Sequence, residues 1–309
     1  MSLVDGLVRA GLPLIPRRVL WTVARRYVAG DELPDALAAV TRLAAEGFGT
    51  ILDVLGEGVE SEAQARAAAA EYHRALEQLP PVDPHTVISV KPTHLGLSLA
   101  PDGELCAGLL SELCASAAAQ GRRVRLEMEE APTVDATLSV FRRLRGRHPN
   151  LGCVLQSRLF RTKADVERLL AEGPGLNVRL VKGIYLEPAS IAWTQDTEIS
   201  RSYLELARRL LDGGAFVGLA THDATLAERL LAELRGRGLD CGPAARRHYE
   251  FQLLLGVRRE LADAWREAGH HVRIYVPYGR DWHAYSLRRL ERNPQIARHV
   301  IKALLSGGG

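Results

Sequence analysis

Arg123-Val124-Arg125-Leu126-Glu127-Met128-Glu129 decides the fold. In an extended chain successive side chains point to opposite faces. Val124, Leu126 and Met128 therefore share one face, and Arg125, Glu127 and Glu129 share the other. The pattern recurs along the chain. Val272, Ile274 and Val276 oppose Arg273 and Tyr275, while Tyr249, Phe251 and Leu253 oppose His248, Glu250 and Gln252. Ile88 and Val90 oppose Ser89 and Lys91, and Val178 and Leu180 oppose Arg179.

These stretches belong to eight β-rich runs: Thr50–Leu55, Thr86–Lys91, Arg123–Glu129, Gly152–Gln156, Asn177–Lys182, Phe216–His222, His248–Leu253 and Val272–Pro277. Helical patterns separate them, at Glu62–Leu79, Leu105–Gln120, Val134–Arg147, Ala164–Ala171, Ile199–Asp212, Thr225–Arg237 and Arg258–Glu267. Ser61 with Gln64, and Thr162 with Asp165, have the spacing of helix N-terminal caps. Eight strands alternating with helices imply parallel pairing, and eight close a (βα)8 TIM-like barrel. An open doubly wound sheet is the competitor, but Gly56-Glu57-Gly58 lacks the third glycine of a dinucleotide fingerprint. The expected organisation is a single domain over 1–309, with N-terminal helices in 1–48 and the barrel in 49–293. An extra C-terminal helix and flexible tail fill 294–309; Ala284–Arg292 and Ile296–Leu305 both read as helices, parted by Pro294.

Composition narrows the function classes. The 40 basic and 37 acidic residues nearly balance, and the arginines are dispersed along helical faces, so no nucleic-acid groove is expected. Four cysteines without metal spacing suggest free thiols in a reducing compartment. No apolar run is long enough to span a bilayer. The expected address is cytoplasmic, with peripheral attachment at the inner face of the membrane left open. A GxSxG elbow and an early-strand HxH are both absent, which argues against acyl-transfer and zinc-hydrolase chemistry, and no metal is expected.

In a barrel the apolar strand face meets the helices, so the charged face points inside. Isolated buried charges cost several kcal/mol each, on the order of that given by transfer data, so such groups pair, reach water or meet a polar ligand. A structural ion-pair network is the plain reading of any one of them; the convergence of five strands points to a site. Only four lysines occur, at positions 91, 163, 182 and 302. Lys163 and Lys302 suit the surface. Lys91 and Lys182 end strands, where barrel enzymes place their chemistry, as a Schiff-base nucleophile, a cofactor ligand or an anion-binding charge. His222, in Thr221-His222-Asp223, could serve as a base, a metal ligand or a cofactor contact. Arg288 and Arg289 could grip a carboxylate if their helix overhangs the pocket, or form a solvated basic face.

Val90-Lys91, Leu126-Glu127-Met128-Glu129, Leu155-Gln156-Ser157, Arg179-Leu180-Val181-Lys182-Gly183, Ala220-Thr221-His222-Asp223, Tyr249-Glu250-Phe251-Gln252, Tyr275-Val276-Pro277-Tyr278-Gly279 and Arg288-Arg289-Leu290 together resemble the ordered signatures of proline dehydrogenase. The length is similar to the monofunctional bacterial type. The resemblance implies FAD held noncovalently at the C-terminal end of the barrel. It implies Glu127 and Arg179 as catalytic residues, Arg179 beside the flavin N5 edge, with Met128, Gln156, Lys182, Gly183, Ile184, Thr221 and His222 lining the cofactor. Lys91, Tyr275, Arg288 and Arg289 would bind L-proline. Hydride would pass from proline C5 to flavin N5, giving 1-pyrroline-5-carboxylate in the first step of catabolism to glutamate, and electrons would leave to a quinone. Glu127 stands where the family usually has aspartate. A barrel that instead forms a Schiff base on Lys91 or Lys182, as an aldolase or pyridoxal-phosphate enzyme does, is the rival.

Overall fold

The computed structural model describes residues 17–81 and 86–292, with side chains outside that description from residue 288 onward. The alternating runs form eight strands: β1 (Gly49–Val54), β2 (Val87–Val90), β3 (Arg123–Leu126), β4 (Leu151–Gln156), β5 (Asn177–Val181), β6 (Phe216–Ala220), β7 (Tyr249–Leu254) and β8 (Val272–Tyr278). All neighbours are parallel, and β8 returns to β1 with Gly49 opposite Arg273 and Val54 opposite Tyr278, closing the barrel. Between the strands run helices α3 (Glu62–Gln78), α4 (Glu104–Ala119), α5 (Val134–Arg145), α6 (Thr162–Ala171), α7 (Asp196–Asp212), α8 (Ala224–Gly236) and α9 (Arg259–Glu267). They are preceded by α1 (Arg17–Ala24) and α2 (Leu33–Ala45) and followed by α10 (Trp282–Arg292). The expected helix Ile296–Leu305 lies outside the described residues, as does the chain before residue 17.

The helix that packs over the β8–β1 seam is α2, which precedes β1, and not the helix that follows β8. Leu33, Ala36, Val40 and Leu43 recur at helical spacing and are buried there. α10 instead packs on α1, where the Trp21 and Trp282 rings lie 4.7 Å apart. Both helices thus sit beside the mouth that β8 opens onto.

Several strands end earlier than their alternation suggests. β3 stops at Leu126, β5 at Val181 and β6 at Ala220, so Glu127, Lys182, Thr221 and His222 stand on the loops just above the barrel. Lys182, outward-facing if the strand continued, is freed from that alternation. His248 precedes β7 and is exposed, a correction to its expected place on the inner face. Ser61 caps α3 by accepting from Gln64 N. Thr162 does not cap: it opens α6 and donates to Gln156 O at 2.6 Å, while Asp165 accepts from Arg161 at 2.8 Å.

Candidate active site

The barrel interior is filled by charge. Low in the barrel, Arg273 donates twice to Glu250, at 2.9 and 3.0 Å, and Gln252 donates to the same carboxylate at 2.6 Å. Arg273 also donates to Thr50 O at 3.1 Å, and Arg125 to Cys153 O at 3.2 Å. Glycine makes the room. A Cβ on Gly218 would stand 2.5 Å from the Gln252 amide, and one on Gly152 would crowd both the Asn177 carbonyl and Arg125. Burial would raise the Glu250 carboxyl, but Arg273 and His271 reverse this and hold it far below the carboxylate range. Burial lowers Arg125 to about 10, which leaves it charged at neutral pH.

Above this plug lies the second cluster, at the strand ends. Lys91 donates to both oxygens of Asp53, at 2.7 and 3.0 Å. Burial would lower its ammonium; the facing carboxylate more than offsets that, so the pKa lies above the ordinary lysine value. Arg179 Nη1 donates to both Glu127 oxygens, at 3.0 and 3.2 Å, and the guanidinium carbon lies 4.6 Å from the centre of the Tyr275 ring. Glu127 also accepts from Ser89, and the Tyr275 hydroxyl lies 3.2 Å from Ser89 Oγ and 3.5 Å from Glu127 Oε1. Burial and the nearby Asp53 and Glu127 carboxylates push the Tyr275 phenol well above its usual value, so it stays a donor.

The structure therefore brings together Lys91, Glu127, Arg179 and Tyr275 of the expected residues, and adds Asp53 and Ser89. Asp53 went unassigned because it is the only charge in β1, whose inner face also carries Ile51. Charge at one inward position was the signal available.

Around this cluster the remaining expected residues form a rim. Gln156 ends β4; its amide donates to Glu129 O at 2.7 Å, and Glu129 accepts from Thr93 N and Oγ1. Gln156 Oε1 is buried with no partner among the described residues, as is Arg179 Nε. Gly183 has φ +99°, and a Cβ there would sit 2.6 Å from Gln156 Oε1. That cradle and those two orphaned atoms fit a flat polar ligand with donor and acceptor edges, as an isoalloxazine has. Lys182 bridges Asp196 at 2.8 Å and Asp223 at 2.7 Å. Thr221 Oγ1 accepts from Asp223 N at 3.1 Å, and His222 Nε2 accepts from Leu254 N at 2.9 Å, which makes Nδ1 the protonated nitrogen of the neutral ring.

Ile184 is exposed on the loop after β5, beside exposed Leu186, an apolar edge at the mouth. Met128 is buried in the hydrophobic core just beyond β3. Arg288 and Arg289 fall on α10 beside the mouth, and their side chains lie outside the described residues. No three His, Cys, Asp or Glu side chains converge to hold a metal ion among the described residues.

The profile of the proline dehydrogenase family matches residues 36–301. The chain belongs to the proline dehydrogenase family. The proline dehydrogenase of Deinococcus radiodurans is 34% identical over 95% of this chain and 93% of its own length. Proline dehydrogenase 1 of Bacillus subtilis strain 168 is 33% identical over 91% of this chain and 90% of that protein. Among solved structures, proline utilization A of Bdellovibrio bacteriovorus superposes with a TM-score of 0.78 at 22% identity. The match covers 87% of this chain but only 32% of that one. Against the Bradyrhizobium japonicum protein the TM-score is 0.71, at 24% identity over 86% of this chain and 30% of that one. The family fits the monofunctional length, and its members are oxidoreductases acting on CH–NH donors. The cluster lies at the strand ends, the face where barrel enzymes place their chemistry.

Proposed function

We propose that this enzyme oxidises L-proline to 1-pyrroline-5-carboxylate with FAD as its cofactor, the first step of proline breakdown to glutamate. The observation that carries the reading is the closed set of two ion pairs, Lys91–Asp53 and Arg179–Glu127, under a rim with the unpartnered Gln156 Oε1 and the Gly183 cradle. FAD, when bound, would take the hydride from proline C5 at its N5 and pass the electrons to a quinone. Peripheral contact with a membrane suits a lipid-soluble acceptor; no described helix is long and apolar enough to cross one.

The chain's own residues divide the work. An ammonium has three donors, and Asp53 takes two of those of Lys91. The third can meet the carboxylate of proline, beside the pair Arg288 and Arg289 on α10. Arg179 presents a fixed cation to the cofactor side, and Glu127 with Tyr275 holds its plane. A donor set fixed in advance stabilises charge that develops in the reaction, at no further cost of reorganisation. Gln156, Gly183, Ile184, Met128, Thr221 and His222 would line the flavin, with Lys182 toward its phosphates. Proline must also lose its ammonium proton before hydride can leave, so activity should rise with pH on the acid side.

The rival Schiff-base reading requires a lysine with a depressed pKa. Lys91 has the opposite, and Lys182 is held by two carboxylates. The test compares L-proline with pyrrolidine, which lacks the carboxylate, on FAD-loaded enzyme with a soluble quinone. Turnover of proline alone supports the reading. Equal turnover of pyrrolidine rejects the carboxylate clamp, and no turnover of proline by flavin-loaded protein rejects the function.

A further inference from the structure

Lys182 stands just past β5, between the first turns of two long helices. Asp196 is the first residue of α7, and Asp223 is the N-cap of α8. The two aspartates are not equivalent. Asp223 is tied twice: its Oδ1 accepts from Leu226 N at 3.1 Å and its Oδ2 from Lys182 at 2.7 Å. Asp196 makes the 2.8 Å bond to Lys182, and its side chain is 74% exposed. One of the two carboxylates is thus part of the frame, and the other can swing into water.

With both in place, the ammonium is over-neutralised: one positive charge faces two negative ones. Such a group cannot attract an anion strongly until a carboxylate leaves. Yet the surroundings are built for a ligand. Two helix N-termini converge here, which favours negative charge. Gln156 Oε1 is buried and unpartnered, and the Gly183 backbone beside it leaves no space for a Cβ.

We propose that Asp196 is a placeholder carboxylate, which occupies Lys182 until the diphosphate of FAD displaces it. This rests on the FAD reading above. It makes Asp196 a determinant of cofactor affinity that acts against binding: loading exchanges a carboxylate for a phosphate on one ammonium. The carboxylate protects a partly buried lysine in the empty protein and sets how readily the flavin is released.

The consequence is specific to phosphate. Asp196→Asn removes one negative charge from the exit path while leaving Asp223 to hold Lys182. Apoprotein should then bind FAD roughly two- to fivefold more tightly, the scale of one partly exposed charge interaction. Riboflavin, which has no phosphate, should bind with unchanged affinity. Asp196→Glu keeps the competing charge and should resemble the parent protein. Flavin fluorescence titrations of the three apoproteins, with folding checked by thermal melting, read this directly. Weaker or unchanged FAD binding in Asp196→Asn overturns the placeholder role, as does an equal gain for riboflavin. If the parent apoprotein binds neither flavin, the cofactor reading itself falls, a result separate from either of these.

Discussion

Asp53→Asn removes the counter-charge from a buried ammonium while nearly preserving shape. In the parent protein Lys91 Nζ holds both Asp53 oxygens, with side-chain exposures of 11% for Lys91 and 1% for Asp53. Breaking a buried pair from one side costs about 3–5 kcal/mol, because the remaining charge is left desolvated. A second route sets the same ceiling. Deprotonating the lysine at pH 7 instead costs about 1.4 kcal/mol per pH unit below its usual value, or roughly 5 kcal/mol. At about 2–4 °C per kcal/mol for a domain approaching this size, the melting temperature should fall by roughly 6–20 °C.

The pH dependence supplies the sign. With Asp53 present, the folded pKa of Lys91 is raised, so its contribution is complete below the ordinary lysine value and is lost as pH climbs through the folded value. In the variant burial acts unopposed by that carboxylate, the folded pKa is depressed, and stability rises with pH toward the unfolded value. The gap between the two proteins should therefore narrow as pH approaches about 10. Urea unfolding at a series of pH values measures it. A loss below about 1 kcal/mol that does not change with pH would refute the buried ion pair as described.

Three further outcomes follow from the same geometry. Glu250→Gln strands Arg273, and deprives Arg125 of a nearby carboxylate, deep in the barrel; urea titration should show a loss of about 3–5 kcal/mol, and a loss under about 1 would contradict the pairing. Gly183→Ala forces a side chain into left-handed backbone and against Gln156 Oε1, so it should cost about 1–3 kcal/mol and weaken FAD binding; an alanine variant with parent-like affinity would remove the cradle from the argument. Burial depresses His94 to about 4, below its ordinary value, so the unfolded state binds the extra proton between these limits. Stability should fall as pH drops from about 6.5 to 4, by about 3 kcal/mol at most, and His94→Gln should flatten that slope; an unchanged slope would assign it elsewhere.

The barrel was legible because period two is a local property. Val124, Leu126 and Met128 against Arg125, Glu127 and Glu129 needs only seven consecutive residues, and so does the inward placement of Arg179 or Tyr275. What escaped is non-local. Lys91 meets Asp53 from 38 positions away, and β1 carried too little polarity to announce it. The seating of α2 over the β8–β1 seam depends on where the chain closes in space, which order along the sequence does not give. Strand ends are set by where ladder hydrogen bonds stop, so Lys182 read as outward when it stands above the barrel. Thr162 has the spacing of a cap but spends its hydroxyl on Gln156 O. The bonds of Lys182 to Asp196 and Asp223 likewise join the loop after β5 to the starts of α7 and α8.

The most direct test is an anaerobic absorbance spectrum of the FAD-reconstituted enzyme before and after addition of L-proline. The account predicts a yellow protein whose oxidised-flavin bands bleach on mixing, with one 1-pyrroline-5-carboxylate formed per flavin reduced. A protein that binds FAD yet keeps its oxidised spectrum under saturating proline, with no imine product, would contradict it.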